Sequence, residues 1–101
     1  MDTIKVFDLI GKNAISMQTG DKIYTILKDK VQNGEHITLD FEGVTLFASP
    51  FFNSAIGRLL KDKEISELQQ QLKFEHLDEV GRNLLNLVIS NAIIYYNKGS
   101  I

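Results

Sequence analysis

Residues 36–60 read HITLDFEGVTLFASPFFNSAIGRLL, and the fold turns on how they are parsed. Ile37, Leu39 and Phe41 alternate with His36, Thr38 and Asp40, which is the period of a half-buried strand. Gly43 marks a turn, a second short apolar run follows, and Ser49-Pro50 then opens a helix. A serine hydroxyl can cap orphan backbone amides, and proline's fixed φ suits the first helical position. From Pro50 to about Asp62, the residues Phe52, Ala55, Ile56, Leu59 and Leu60 recur at helical spacing. Ser54, Arg58, Lys61 and Asp62 lie on the other side. In this reading Ser49 is an N-cap, a role that contributes on the order of 1 kcal/mol.

Upstream, Thr3 to Ile10 alternates apolar Ile4 and Val6 with polar residues, as a strand does. Gly11-Lys12-Asn13 is a turn signal, and Ala14 to Met17 reads as a partner strand, giving an N-terminal hairpin. Thr19-Gly20-Asp21 opens a helix that runs to about Gln32, with Ile23, Ile26, Leu27 and Val31 on one face. Asn33-Gly34 stops it, because both residues tolerate the left-handed conformation that ends helices. Downstream, helix continues through Glu64 to Gln69, and the Gln69-Gln70-Gln71 run marks a surface helix end. A strand follows around Leu72 to Leu77, and Asp78 caps a last helix over roughly Glu79 to Asn97. The order is ββαβαβα. It predicts a single α/β domain over residues 1–101, a mixed, mostly parallel sheet with helices packed against it.

Bulk properties exclude several function classes. A net charge of −2 gives no electrostatic case for nucleic acid. The chain has no cysteine, which removes disulfides, thiolate metal sites and cysteine nucleophiles. No window approaches 18 uninterrupted apolar residues, and the acidic start MDTIKVFDLI is no signal peptide, so the expected location is the cytoplasm and not a membrane. His36 and His76 stand alone, without the neighbours a metal site needs. No phosphate-cradling glycine loop occurs. The serines at 16, 49, 54, 66, 90 and 100 have no histidine at a triad-like spacing. The expectation is therefore no catalytic residue, no metal, no cofactor and no enzymatic activity.

A hydrophobic strand ending in Asp40, then Phe41-Glu42-Gly43-Val44, a short apolar run and a serine at a helix start resemble the STAS domain of sulfate transporters and anti-sigma factor antagonists. The resemblance is greatest to bacterial STAS-like domains whose function is unassigned. It is tightest over residues 40–60 and looser over 35–97. It implies that Asp40 occupies the strand-end aspartate, and that Ser49 occupies the serine that antagonist members present to an ATP-dependent partner kinase. The aspartate that precedes that serine in those members is Ala48 here, and their run of small residues is Pro50-Phe51-Phe52-Asn53. These two differences move the emphasis from the hydroxyl to the surface around it.

The resemblance implies a regulatory, protein-binding module working by partner switching, with a kinase-like ATPase-fold partner. The candidate partner-binding residues are Asp40, Ser49, Phe51, Ser54 and Arg58, and Ser49 is the candidate phosphorylation site. Phe51 and Arg58 enter because aromatic and arginine side chains dominate interface hot spots; packing under the loop is the other reading of Phe51. An alternative function is small-ligand sensing in a cleft near Asp40 and Ser49. A second alternative is homodimerisation. The last helix carries Leu84, Leu85, Leu87, Val88, Ile89, Ala92, Ile93, Ile94, Tyr95 and Tyr96 over more than one face, and a helix that is apolar nearly all round is usually buried on two sides.

Overall fold

In the computed structural model, which describes residues 2–97, the chain opens with β1 (Asp2–Lys5), α1 (Val6–Ile10) and β2 (Asn13–Ala14). It continues through α2 (Met17–Gln32), β3 (Ile37–Asp40), β4 (Leu46–Phe47) and α3 (Ser49–Ala55). A 3₁₀ helix over Gly57–Lys61, α4 (Ile65–Gln71), β5 (Leu72–Glu75) and α5 (Glu79–Asn97) complete it. The three-stranded sheet has the order β1-β3-β5, and β2 and β4 form a separate pair. Every strand pair among the described residues is parallel. The architecture is α/β, as anticipated, but the sheet is not mixed.

The expected N-terminal hairpin does not form. β1 pairs instead with β3, in the register Ile4 to Leu39, and β2 pairs with β4. The apolar residues Val6 and Ile10 are spaced one helical turn apart, so the same letters serve a short helix as well as a strand. Gly11, at φ +79°, ends that helix by donating its amide to the Phe7 carbonyl at 2.8 Å. The turn residues thus close a helix, and Ile15 to Met17 belong to the approach and first residue of α2.

α2 begins two residues before Thr19 because Ser16 caps it, its hydroxyl accepting from the Thr19 amide at 3.1 Å. Its inner face is Ile23, Leu27 and Val31, all buried. Gly34, at φ +77°, donates to the Val31 carbonyl at 3.0 Å and turns the chain into β3. In β3, Ile37, Thr38 and Leu39 are all buried. A half-buried strand would leave Thr38 exposed; as the central strand, β3 is covered on both faces.

The anticipated helix from Pro50 to Asp62 is two elements. α3 ends at Ala55, and Ile56 leaves regular helical dihedrals at φ −119°. The 3₁₀ segment that follows lets Gly57 approach α5 so closely that a Cβ there would lie 3.3 Å from a Val88 methyl. Asp78 caps α5 as expected, accepting from the Gly81 amide at 2.8 Å. Gln71 departs from the surface reading of the glutamine run. It is buried, and its amide nitrogen donates to the Val31 and Glu35 carbonyls, each at 3.0 Å.

Phenylalanines knit the layers. Phe41 has ring centroids 6.0 Å from Phe47, 6.5 Å from Phe51, 6.2 Å from Phe52 and 6.5 Å from Phe74. Aromatic side chains each bury about 150–250 Å², so this cluster is the main weight holding α3 against the sheet. Among the described residues, no helix is long and apolar enough to cross a membrane.

Candidate functional site

The site is built where α2 and α3 cross. Gly20 makes the close approach possible: a Cβ on it would stand 2.5 Å from the Phe51 carbonyl oxygen and 2.7 Å from Ser54 Cβ. The next residue, Asp21, is thereby brought against Ser54 and Arg58. The Ser54 hydroxyl donates to Asp21 Oδ1 at 2.5 Å, and Arg58 Nη2 donates to the same oxygen at 2.6 Å. Arg58 Nε donates to the Ser54 carbonyl at 2.9 Å. The guanidinium also lies 3.8 Å from the centroid of the Tyr24 ring.

Energetically this cluster is modest. Half-exposed ion pairs contribute about 0–1 kcal/mol, and a cation–π contact at an exposed site about 0.5–1 kcal/mol. Its effect is geometric, because four contacts, to Asp21 Oδ1, the Ser54 carbonyl, the Ser54 hydroxyl oxygen at 3.1 Å and the Tyr24 ring, hold the planar guanidinium in one orientation. Beside it opens a groove of about 670 Å³ between the start of α2, α3 and the last turns of α5. Met17 and Pro50 line one bank, Asn91 and Tyr95 the other, with Arg58 in the wall.

Of the residues the sequence nominated, Ser54 and Arg58 are brought together, though Ser54 is buried rather than on an outer face. Asp21 and Tyr24 complete the cluster and escaped nomination. A signal for them existed in Gly20: a glycine inside a helical pattern marks a close packing partner.

Phe51 is corrected outright as a contact residue. It is fully buried, packing edge-on against Phe52 with centroids 5.2 Å apart. α3 has α2 on one side and the sheet and α5 on the other, so Phe51 and Phe52 both point into the core. Packing under the loop is the reading that holds.

Ser49 is not a cap. Ala48 is the N-cap residue, extended at φ −147° and ψ 155°, and no side chain caps α3. The cause is the β2–β4 pairing, in which the Ala48 amide donates to the Ala14 carbonyl at 3.0 Å and holds residue 48 in strand geometry. The helix therefore starts one residue earlier than Ser-Pro chemistry alone suggests. Ser49 and Pro50 become its first two residues, and the Ser49 hydroxyl makes no hydrogen bond among the described residues.

Asp40 stands apart from this cluster. Its Oδ1 accepts from the Glu42 amide at 2.9 Å and faces His76 Nδ1 at 2.7 Å. The Glu42 amide first, then His76, holds its carboxyl below the ordinary carboxylate range. The same contact raises the His76 imidazole. Asp40 thus closes the turn that Gly43 completes at φ +91°. The depression beside it holds about 140 Å³ and is lined by Lys5, Phe7, Asp8, Asp40 and Glu42, without Ser49. Among the described residues, no group of three or more His, Cys, Asp or Glu side chains could hold a metal ion.

No curated protein and no solved structure matches the chain. A family model does match, over residues 19–82, which spans both helices of the crossing, the Asp40 turn and Ser49. The chain belongs to the family of STAS-like domains of unknown function.

Proposed function

We propose that this STAS-like domain is a regulatory module that works by binding a partner protein and has no catalysis of its own. The partner docks where α3 begins, on Ser49, Pro50, Asn53 and Arg58, and a phosphate on Ser49 releases it. The observation that carries this reading is the held guanidinium of Arg58 beside the open groove. Arginine and tyrosine are the residue types that most often anchor interfaces, and an anchor already ordered loses less entropy on binding. The switch rests on the resemblance to antagonist domains and on the unengaged hydroxyl of Ser49. A doubly charged phosphate there would stand at the edge of the docking face and repel an acidic or apolar surface.

A photocrosslinking amino acid at Asn53, in cells of the native host, tests the proposal. Asn53 is expected to give one discrete protein adduct, whereas the same probe at Lys73, on β5, gives none. Ser49→Asp abolishes the adduct and Ser49→Ala keeps it. Intact mass after incubation with the captured partner and ATP then registers one phosphate on the wild type and none on Ser49→Ala. No adduct, or equal adducts at both positions, overturns docking at α3. An adduct that survives Ser49→Asp overturns the switch.

Small-ligand sensing is the second reading, now located in the groove instead of near Asp40. Its volume of about 670 Å³ falls within the roughly 300–1,000 Å³ of small-molecule sites. A thermal-shift screen against nucleotides and metabolites separates the two readings. A stabilising compound whose effect disappears in Arg58→Ala favours the sensor.

A further inference from the structure

α5 carries a feature that partner docking at α3 does not use. Residues 83–97, NLLNLVISNAIIYYN, contain no charged side chain, in a chain whose charged fraction is 24%. Gly81, Leu85, Val88 and Ala92 form the buried side of the helix. Its outward side exposes Val80 at 62%, Leu87 at 54%, Ile94 at 69% and Tyr95 at 71%. Asn83, Asn86, Ser90 and Asn91 are the exposed uncharged polar residues between them, and Arg82, off the line of Val80, Leu87 and Ile94, is the exposed charged one. A solvated helix face ordinarily carries charge, and depletion of charge with retained aromatic and aliphatic side chains is the composition of an interface centre. Val80, Leu87 and Ile94 are also seven residues apart. On an α-helix that spacing makes a nearly straight seam, drifting about 20° per heptad.

We infer that a second copy of this chain covers the seam, with α5 packed antiparallel on α5 and Leu87 at the two-fold axis. Charge argues for this occupant. A two-fold pair sets the residue at its axis against its own copy, so a charge at position 87 would meet its own sign. This seam has no charge to repel its copy, and it offers none to attract an acidic or basic partner. Position argues for it too. Leu87 lies midway between Val80 and Ile94, so when Leu87 faces its symmetry mate, Val80 comes opposite Ile94 of the other copy. All three apolar knobs then find apolar partners. A specific interface buries about 800 Å² on each side, more than a strip about 28 Å long and about 10 Å wide supplies. Met17, 61% exposed on the facing bank of the groove, widens the footprint. The inference stands independently of docking at α3: a monomer would leave that reading untouched.

Light scattering on the full chain at high micromolar concentration is expected to give twice the monomer mass of 11.4 kDa. Leu87→Glu, at a side chain already exposed, returns the monomer mass with an unchanged circular dichroism spectrum. Mixing Leu87→Glu with Leu87→Lys restores the doubled mass, because the axis brings the two substituted residues together. The chain lacks cysteine, so each single-cysteine variant carries a sole thiol. Leu87→Cys oxidises to a covalent dimer, whereas in Val80→Cys the two thiols are held about 21 Å apart, beyond disulfide reach. A wild-type monomer overturns the inference, whatever else covers the seam. A dimer that survives Leu87→Glu, or that crosslinks faster through residue 80 than through residue 87, overturns it equally.

Discussion

Gly20 decides how the two central helices meet. On helix propensity alone, Gly20→Ala should stabilise α2 by about 1 kcal/mol. The added methyl would instead press on the Phe51 carbonyl at 2.5 Å and Ser54 Cβ at 2.7 Å, neither of which can swing away as a long side-chain end can. Overpacking of this kind costs about 1–3 kcal/mol. Gly20→Ala is therefore expected to lower the unfolding free energy in urea, with the helix content of the folded state unchanged; a stabilised variant would refute the crossing. The same residue explains why Asp21 and Tyr24 were hard to see in the sequence. On α2 they read as ordinary residues of the exposed side, and only the approach over Gly20 sets them against Ser54 and Arg58.

At the scale of elements, the two helix starts that begin with serine differ in kind. Ser16 has an extended backbone and its hydroxyl accepts from the Thr19 amide. Ser49 is already helical and caps nothing. Ser16→Ala is expected to cost about 1 kcal/mol. Ser49→Ala should stay within about 0.5 kcal/mol, as substitutions away from such contacts do. Chemical denaturation of the two variants side by side checks this, and equal losses would restore the cap to Ser49. Helices with one apolar face were legible: Ile23, Leu27 and Val31 in α2, and the Asp78 start of α5. The two-residue strands β2 and β4 were not, since a run that short has no period to detect. Nor was the two-sided burial of α3, where Phe51 and Phe52 point different ways and both enter the core.

Across the whole molecule, the Asp40–His76 contact ties the end of the central strand to the turn that leads from β5 into α5. His76 is also the one residue other than glycine with positive φ among the described residues, at +57°. Its imidazole is raised above the ordinary 6.5 by Asp40. The stabilisation it contributes is therefore complete below pH 6.5 and is lost as pH rises through the raised value. Asp40 is depressed below the ordinary 3.8, chiefly by the Glu42 amide and then by His76. Its contribution is complete above that value and is lost as pH falls through the depressed one. His76→Gln removes the charge and leaves the left-handed backbone in place. The gap in melting temperature between wild type and variant is expected to be widest between the two ordinary values, 3.8 and 6.5, and to close as pH rises through the raised imidazole value. A gap independent of pH would show that the contact carries no charge. The gap is small in absolute terms, because the His76 side chain is 58% exposed.

By itself the sequence determined what local chemistry can specify. It set the apolar faces of the long helices and the Asp40–Gly43 turn. It carried the strand-to-serine pattern that resembles the STAS domain, the absence of cysteine chemistry, and the charge-free run along α5. Tertiary structure alone decided which polar residues meet. Ser54 reaches Asp21 across 33 positions of chain, and Arg58 reaches it across 37; no local period encodes such a pairing. It also moved the cap from Ser49 to Ala48, because a backbone hydrogen bond from a distant strand outweighed the hydroxyl beside it. Phe51 went from surface to core for a related reason. Periodicity assigns a helix one inner face, and only packing reveals that this helix has two.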